Sequence, residues 1–564
     1  MRLLNTDTLE FAEFFGSPPR YAILSHTWED GEVSLREMMD GPPSVKNKQG
    51  YRKVVDYCRL AVQQGYAWAW VDTCCINKTS DAELSESINS MFRWYQEAAV
   101  CHVFLSDLSV DADLDTTLPS CRWFTRGWTL QELIAPRTVE FYDRGWVMRG
   151  TKESLGSQLC AITMINQSAL AGGFRHSNIA ERMSWVALRE TTRPEDIAYC
   201  MLGLFDVSMP MLYGEGKRAF RRLQEELIRQ SNDLSIFAWN DDAESLLPQP
   251  TGVTECSALL APSPRQFAVH QRVPGMLGRQ TNAALRPEYA ITNKGLRIRT
   301  QLLLVPRNPA PGIDKERRAD NPAAGHRRAD EGTGPQYLLA FNEDDVAHYY
   351  SSRAVPGILL DKVGPNLFQR RRGPLHWLRA YVNGMGRTNS MEFYIKLDDD
   401  AASGSWNYPN GVNKIFEGPV TVRGAEPNST ASDAVIRIEK AIPDSHWDHT
   451  RRCFFVPTNR RLVCAFSFTF TLDGEDTTLL CVIDQRLPAQ RFFLSDRSGS
   501  PEAFRWFSNT KSATGDTSWD DILGLHVGWQ SVGVTLASGI SYSVGAFSPS
   551  MTNMSTVFSV LRKP

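Results

Sequence analysis

The chain has 564 residues, 42% of them hydrophobic and 22% charged, which is ordinary for a globular protein and enough for more than one core. Its 61 Lys and Arg against 64 Asp and Glu exclude a global pull toward DNA, RNA or acidic lipid. The absence of an apolar run of ~18 residues excludes a membrane span. Eleven cysteines, an odd number without CxxC pairs, fit reduced thiols and predict a cytoplasmic protein. The first residues, MRLLNTDTLEFAEFF, carry acids and no cleavable apolar core.

In chain order, residues 1–148 alternate strand and helix. Tyr21 to Ser25 is a short apolar strand, and Tyr51, Val54, Val55, Cys58 and Val62 recur at helical spacing. Tyr66 to Val71 reads as a buried strand ending at Asp72. Ser80-Asp-Ala-Glu83 is a capping box before the stripe Leu84, Ile88, Met91, Phe92 and Tyr95. Val100 to Leu105 is a third strand, 126–135 a short helix, and Thr138 to Tyr142 a fourth strand. This alternation predicts an α/β domain with a mostly parallel sheet covered on both faces.

Residues 149–240 read as helical. Thr192-Arg-Pro-Glu195 is a second capping box, and Phe220, Leu223, Leu227 and Ile228 line one side of a helix near 215–230. From 255 to 564 many short apolar runs separated by turn residues predict a mainly β domain, a sandwich or a barrel. Within it, residues 307–335 have the Pro, Ala, Gly and charge content of a disordered insertion.

Ligands of an open parallel sheet bind beyond the carboxyl ends of its strands. Those ends are Ser25-His26-Thr27-Trp28, Asp72-Thr73-Cys74-Cys75 and Ser106-Asp107. Caps and turns explain such residues equally well for Asp72 and Ser106. In the segment 121–136, Leu130, Leu133 and Ile134 share one helix face, while Trp128 and Glu132 share another at i and i+4. An indole beside a carboxylate makes a partly desolvated site and can hold a flat ligand; a surface Glu beside an interfacial Trp is the plainer alternative. Gly214-Glu-Gly216-Lys-Arg-Ala219 lacks the preceding strand and the Ser or Thr of phosphate loops, so it reads as the start of a helix. His446 and His449 form an isolated pair, and Arg370 to Arg372 a short solvated basic run.

YAILSHTWEDGEVS, WVDTCCINKTSDAELSESINSMFRWYQEAAVCHVFLSD and CRWFTRGWTLQELIAP resemble the three signature blocks of the fungal heterokaryon incompatibility (HET) domain. Residues 183–239 resemble the helical segment that commonly follows it. The HET domain is in turn similar to Toll/interleukin-1 receptor (TIR) domains, which have a flavodoxin-like sheet. YAILS with HTWED, WAWVDTCC and VCHVFLSD resemble the first three TIR strands. WTLQEL resembles the W-C-x-x-E-L block of plant TIR domains, and VEFYD the strand after it. In NAD-cleaving TIR domains the glutamate of that block is catalytic, which corresponds to Glu132; Thr129 stands in place of its Cys, and Gln131 in place of a frequent Asp.

The resemblance implies an incompatibility or innate-immunity-like cell-death effector that hydrolyses NAD+ to nicotinamide and ADP-ribose products when assembled. NAD+ would be substrate, with no metal or other cofactor. Glu132 would stabilise an oxocarbenium-like centre, as carboxylates do in glycoside hydrolysis. Trp28 or Trp128 would stack on a ring, Arg126 would meet phosphate, and Ser25, His26 and Asp72 would bind ribose or phosphate at strand ends. Self-association or an incompatibility or immune receptor would be the partner. Two other readings stand beside it: a non-enzymatic signalling adaptor, and a thiol-dependent hydrolase using Cys74 or Cys75 with His26.

Overall fold

In the computed structural model the described residues are 1–240, 256–272, 286–305, 336–341 and parts of 354–562. The expected insertion at 307–335 lies outside them. Among the described residues no helix is long and apolar enough to cross a membrane.

A seven-stranded sheet organises the N-terminal part. Its strands are β1 (Arg2–Asn5), β2 (Phe11–Glu13), β3 (Ala22–His26), β4 (Trp68–Trp70), β5 (Val100–Phe104), β6 (Val139–Tyr142) and β7 (Met148–Thr151), in spatial order β2-β1-β4-β3-β5-β6-β7. Only β4, β3, β5 and β6 run parallel; β1, β2 and β7 join antiparallel. The sheet is therefore mixed, where alternation alone predicted a mostly parallel one. The added strands are three or four residues long, and β7 buries none of its residues, so neither length nor alternation marks them. The central strands are buried throughout, as a sheet covered on both faces requires.

Helix Gln49–Gln63 covers one face. It buries Lys53, Val54, Tyr57, Cys58 and Ala61, whereas Tyr51 and Val55 are only half-buried and Val62 is exposed. The buried stripe is thus rotated from the one that apolar spacing suggests. Two contacts drive the rotation: Lys53 pairs with Glu32, and the Tyr57 ring packs edge-on against His102. Helices Asp81–Glu97 and Thr129–Ile134 cover the opposite face. The first starts at Ser80, whose side chain accepts from Glu83 N–H. The capping box is only half formed, because the Glu83 carboxylate is held by Arg2 and by Asn77 N–H.

The helical segment packs on this second face through Leu202–Phe205, where a Cβ added to Gly203 would lie 2.0 Å from Phe92 Cβ. No capping box forms at 192–195. Glu195 Oε1 instead accepts from Gly214 N–H (2.8 Å) and Gly216 N–H (2.9 Å), both in left-handed backbone conformations. The glycine loop therefore cradles an anion supplied by the chain itself, and helix Arg218–Gln230 follows directly. Phe220, Leu223, Leu227 and Ile228 are buried on it, as their spacing predicts.

Beyond residue 256 the structure is mainly β, with a ten-stranded and an eleven-stranded sheet paired largely antiparallel. Arg370 corrects the reading of residues 370–372 as solvated. It is 1% exposed, donates to Phe237 O (2.9 Å) and Trp239 O (2.5 Å), and stacks 3.6 Å from the Trp239 ring. A guanidinium can be buried this way because planar donors satisfy carbonyls while its face meets an indole.

Candidate functional site

Successive side chains of a strand point to opposite faces, and β3 ends on two polar residues, Ser25 and His26. The pleat therefore divides the expected site into two groups.

On the face covered by Thr129–Ile134, Ser25 Oγ donates to Glu132 Oε2 (2.5 Å) and accepts from Trp123 Nε1 (2.8 Å). Ser25, Trp123 and Glu132 are all buried, Glu132 at 5% exposure. Burial, and then the charge of Asp72, push the Glu132 carboxyl up to about 8, against the hydroxyls of Ser25 and Tyr95 and the charge of Arg189. In this state Glu132 is mainly a neutral acid at neutral pH.

Arg189 arrives from the helical segment. Its Nη1 donates to Arg126 O (2.8 Å) and Thr129 Oγ1 (3.0 Å), at the first turn of the Glu132 helix. At the other end Lys152 Nζ donates to Ile134 O (3.3 Å) and Pro136 O (3.0 Å), a cation on the last carbonyls of that helix. The six-residue helix is thus clamped at both ends.

On the opposite face His26 is buried with both ring nitrogens lacking hydrogen-bond partners among the described residues. Its Nε2 lies 3.8 Å from Glu32 Oε1 and 3.8 Å from Asp72 Oδ1. Burial, with Lys53 and Lys78 nearby, holds the imidazole well below its ordinary value, so the ring is neutral at neutral pH. Trp28 is half exposed; its Nε1 donates to Asp72 Oδ2 (2.7 Å) and Lys78 Nζ sits 3.6 Å above the ring. Burial raises the Asp72 carboxyl, against the Lys78 charge.

The structure thus joins Ser25 to Glu132, and His26 to Asp72 and Trp28. Arg126 and Trp128 belong to neither group, a correction to their expected contacts with phosphate and ring. Arg126 Nη2 donates to Thr192 Oγ1 (2.9 Å), its backbone bridges Glu190, and the Trp128 indole bonds to the Asp196 carboxylate. The cause is the extended backbone at Arg126, which pairs with the helical segment just before the helix turns. Cys74 and Cys75 are buried, and the neighbouring Cys75 thiol, followed by burial, raises Cys74 well above its ordinary value, which opposes a thiolate nucleophile at Cys74.

Glu32, Lys53, Lys78, Trp123 and Arg189 carry no mark in the sequence reading, and Tyr95 enters it only as part of an apolar helix stripe. A lysine interrupting a helical apolar face was a usable signal for Lys53. Nothing local marks Arg189, 60 residues from the hydroxyl it reaches.

The family model for heterokaryon incompatibility protein matches residues 21–119, the stretch holding Ser25, His26, Trp28 and Asp72. Residues 21–119 are a HET domain. Vegetative incompatibility protein HET-E-1 of Podospora anserina is 46% identical over 237 residues, which is 40% of this chain and 17% of that protein. The chain therefore spans less than a fifth of that relative's length. A domain of unknown function, DUF8212, matches residues 218–322, beginning at the helix after the glycine loop. No solved structure matches the chain. Arg126, Trp128 and Glu132 follow the matched HET stretch in sequence, but Glu132 is bonded directly to it through Ser25.

Proposed function

We propose that this chain acts in heterokaryon incompatibility as a cytoplasmic cell-death effector, and that its HET domain hydrolyses NAD+ when assembled. The likeness to the vegetative incompatibility protein carries the first part. The second rests on Glu132, a carboxyl hydrogen-bonded to Ser25 near the carboxyl end of the first parallel strand. Numbered in chain order, the four parallel strands lie in the order 2-1-3-4, which supports a TIR-like or flavodoxin-like reading. The buried free thiols at Cys58, Cys74, Cys75 and Cys101 suit a reducing compartment.

The closed state accounts for the dependence on assembly. A neutral acid does not stabilise an oxocarbenium centre, and a residue 5% exposed does not reach a ribose. Assembly that uncovers Glu132 restores water to the carboxyl, returns it to the ordinary carboxylate range and supplies the charge. Arg189, already on the first turn of that helix, favours the ionised form.

The test uses the full chain fused to an inducible oligomeriser, with nicotinamide release followed in the free and clustered states. Release is expected only on clustering and is lost in a folded Glu132→Gln variant. Undiminished release by that variant removes Glu132 from the chemistry. The burial of Glu132 favours a second reading, the adaptor that works by binding alone. Cell death that persists without any NAD+ loss establishes it.

A further inference from the structure

The face of the sheet away from Glu132 carries a cleft that the NAD+ reading does not use. It holds a cavity of about 250 Å³ between helix Gln49–Gln63 and the residues following β3, β5 and β6. We propose that this cleft binds a mononucleotide, with its phosphates on Arg52 and Arg144.

Two guanidiniums left unpaired point to an anion, although the carboxylates of the lining outnumber its cations. Four carboxylates line the cleft, and three are already held by the chain. Glu29 accepts from Ser106 Oγ (2.7 Å) and Arg122 Nη2 (2.8 Å), Glu32 pairs with Lys53, and Asp56 pairs with Arg59 (2.9 Å). Arg52 and Arg144 also line the cleft, are exposed, and pair with no carboxylate among the described residues. Two guanidinium forks without partners across one cleft suit phosphate oxygens, which they bind bidentately.

The aromatic wall points to a ring on that anion. Phe104 and Trp146 line the cleft and stack with centroids 4.3 Å apart at 21°. Trp146 stands in the left-handed region at φ +58°, a strained conformation for a bulky residue. Buried Asp143 holds it there: Oδ1 accepts from Gly145 N–H (2.9 Å) and Val147 N–H (3.1 Å), and Arg149 pairs with Oδ2 (3.1 Å). A turn secured by three groups on Asp143 keeps an indole on the cleft wall against its own strain. Asp30, the fourth carboxylate and without a partner among the described residues, suits ribose hydroxyls. The volume falls below the ~300–1,000 Å³ of ordinary ligand pockets, which selects a mononucleotide over a whole dinucleotide.

Titration calorimetry of the full chain with ADP, adenosine and inorganic pyrophosphate tests this. ADP is expected to bind saturably and more tightly than either fragment. Arg52→Ala and Arg144→Ala each weaken ADP about tenfold or more, and the double variant loses it. Both positions are exposed, so the variants keep the fold, checked by their unfolding curves. Glu132→Gln binds ADP like the parent chain, which separates this site from NAD+ cleavage. The proposal is overturned by no saturable ADP binding, by ADP affinity unchanged in the double variant, or by pyrophosphate binding as tightly as ADP.

Discussion

Replacing Glu132 by Gln keeps side-chain volume and an acceptor for Ser25, and removes one titration. Burial and Asp72 place the folded-state carboxyl at about 8 against an ordinary 4.5. Between those values the folded chain holds a proton that the unfolded chain has released. Stability from this group is therefore complete below about pH 4.5 and lost as pH rises toward about 8. At 1.36 kcal/mol per unit, the loss is roughly 3 kcal/mol by about pH 7 and roughly 5 kcal/mol over the whole window. Glu132→Gln does not titrate, so its stability relative to the parent should climb by about 1.4 kcal/mol per pH unit between about pH 5 and 7.5. For a unit of this size that is ~2–4 °C in Tm per kcal/mol, readable by thermal unfolding of both chains in matched buffers. The imidazole of His26 is depressed, so its own contribution is lost as pH falls, but it is present in both chains and cancels in the difference. A difference that stays flat with pH, or a variant less stable than the parent at about pH 7.5, refutes the argument that Glu132 is folded as a buried neutral acid.

Ser25→Ala leaves Trp123 Nε1 and Glu132 Oε2 without a shared hydroxyl in a buried place, and should cost about 2–4 kcal/mol by denaturant unfolding. Gly203→Ala drives a Cβ into Phe92 and forces the helical segment off helix Asp81–Glu97, at a cost of about 1–3 kcal/mol or more. Its melting temperature should fall, whereas an unchanged value means the two helices are not in contact there. Arg370→Met strips donors from the carbonyls of Phe237 and Trp239 and the cation from the indole, for about 2–4 kcal/mol. Limited proteolysis should then cut faster between the helical segment and the β region; an unaltered cleavage pattern contradicts the clamp.

By itself the sequence determined the long elements and their type. Helices 81–97 and 218–230 carry apolar stripes at helical spacing, and the buried parallel strands are short apolar runs ending on polar residues. It also carried the HET-like blocks and the carboxylate at Glu132. Short elements escaped, because three or four residues at a sheet edge hold too few periods to read. Tertiary structure alone decided which polar residues meet. Ser25 and His26 are neighbours in the chain, yet the pleat sends one to Glu132 and the other toward Glu32 and Asp72. Arg126 and Trp128 sit beside Glu132 in sequence, yet a backbone bridge to Glu190 turns them to the helical segment. Arg189 and Arg370 look like surface charges in the sequence; distant carbonyls and rings make both buried clamps. Periodicity reports which side of an element faces the core. Contacts between elements, made across tens or hundreds of residues, decide what each polar group there is bonded to.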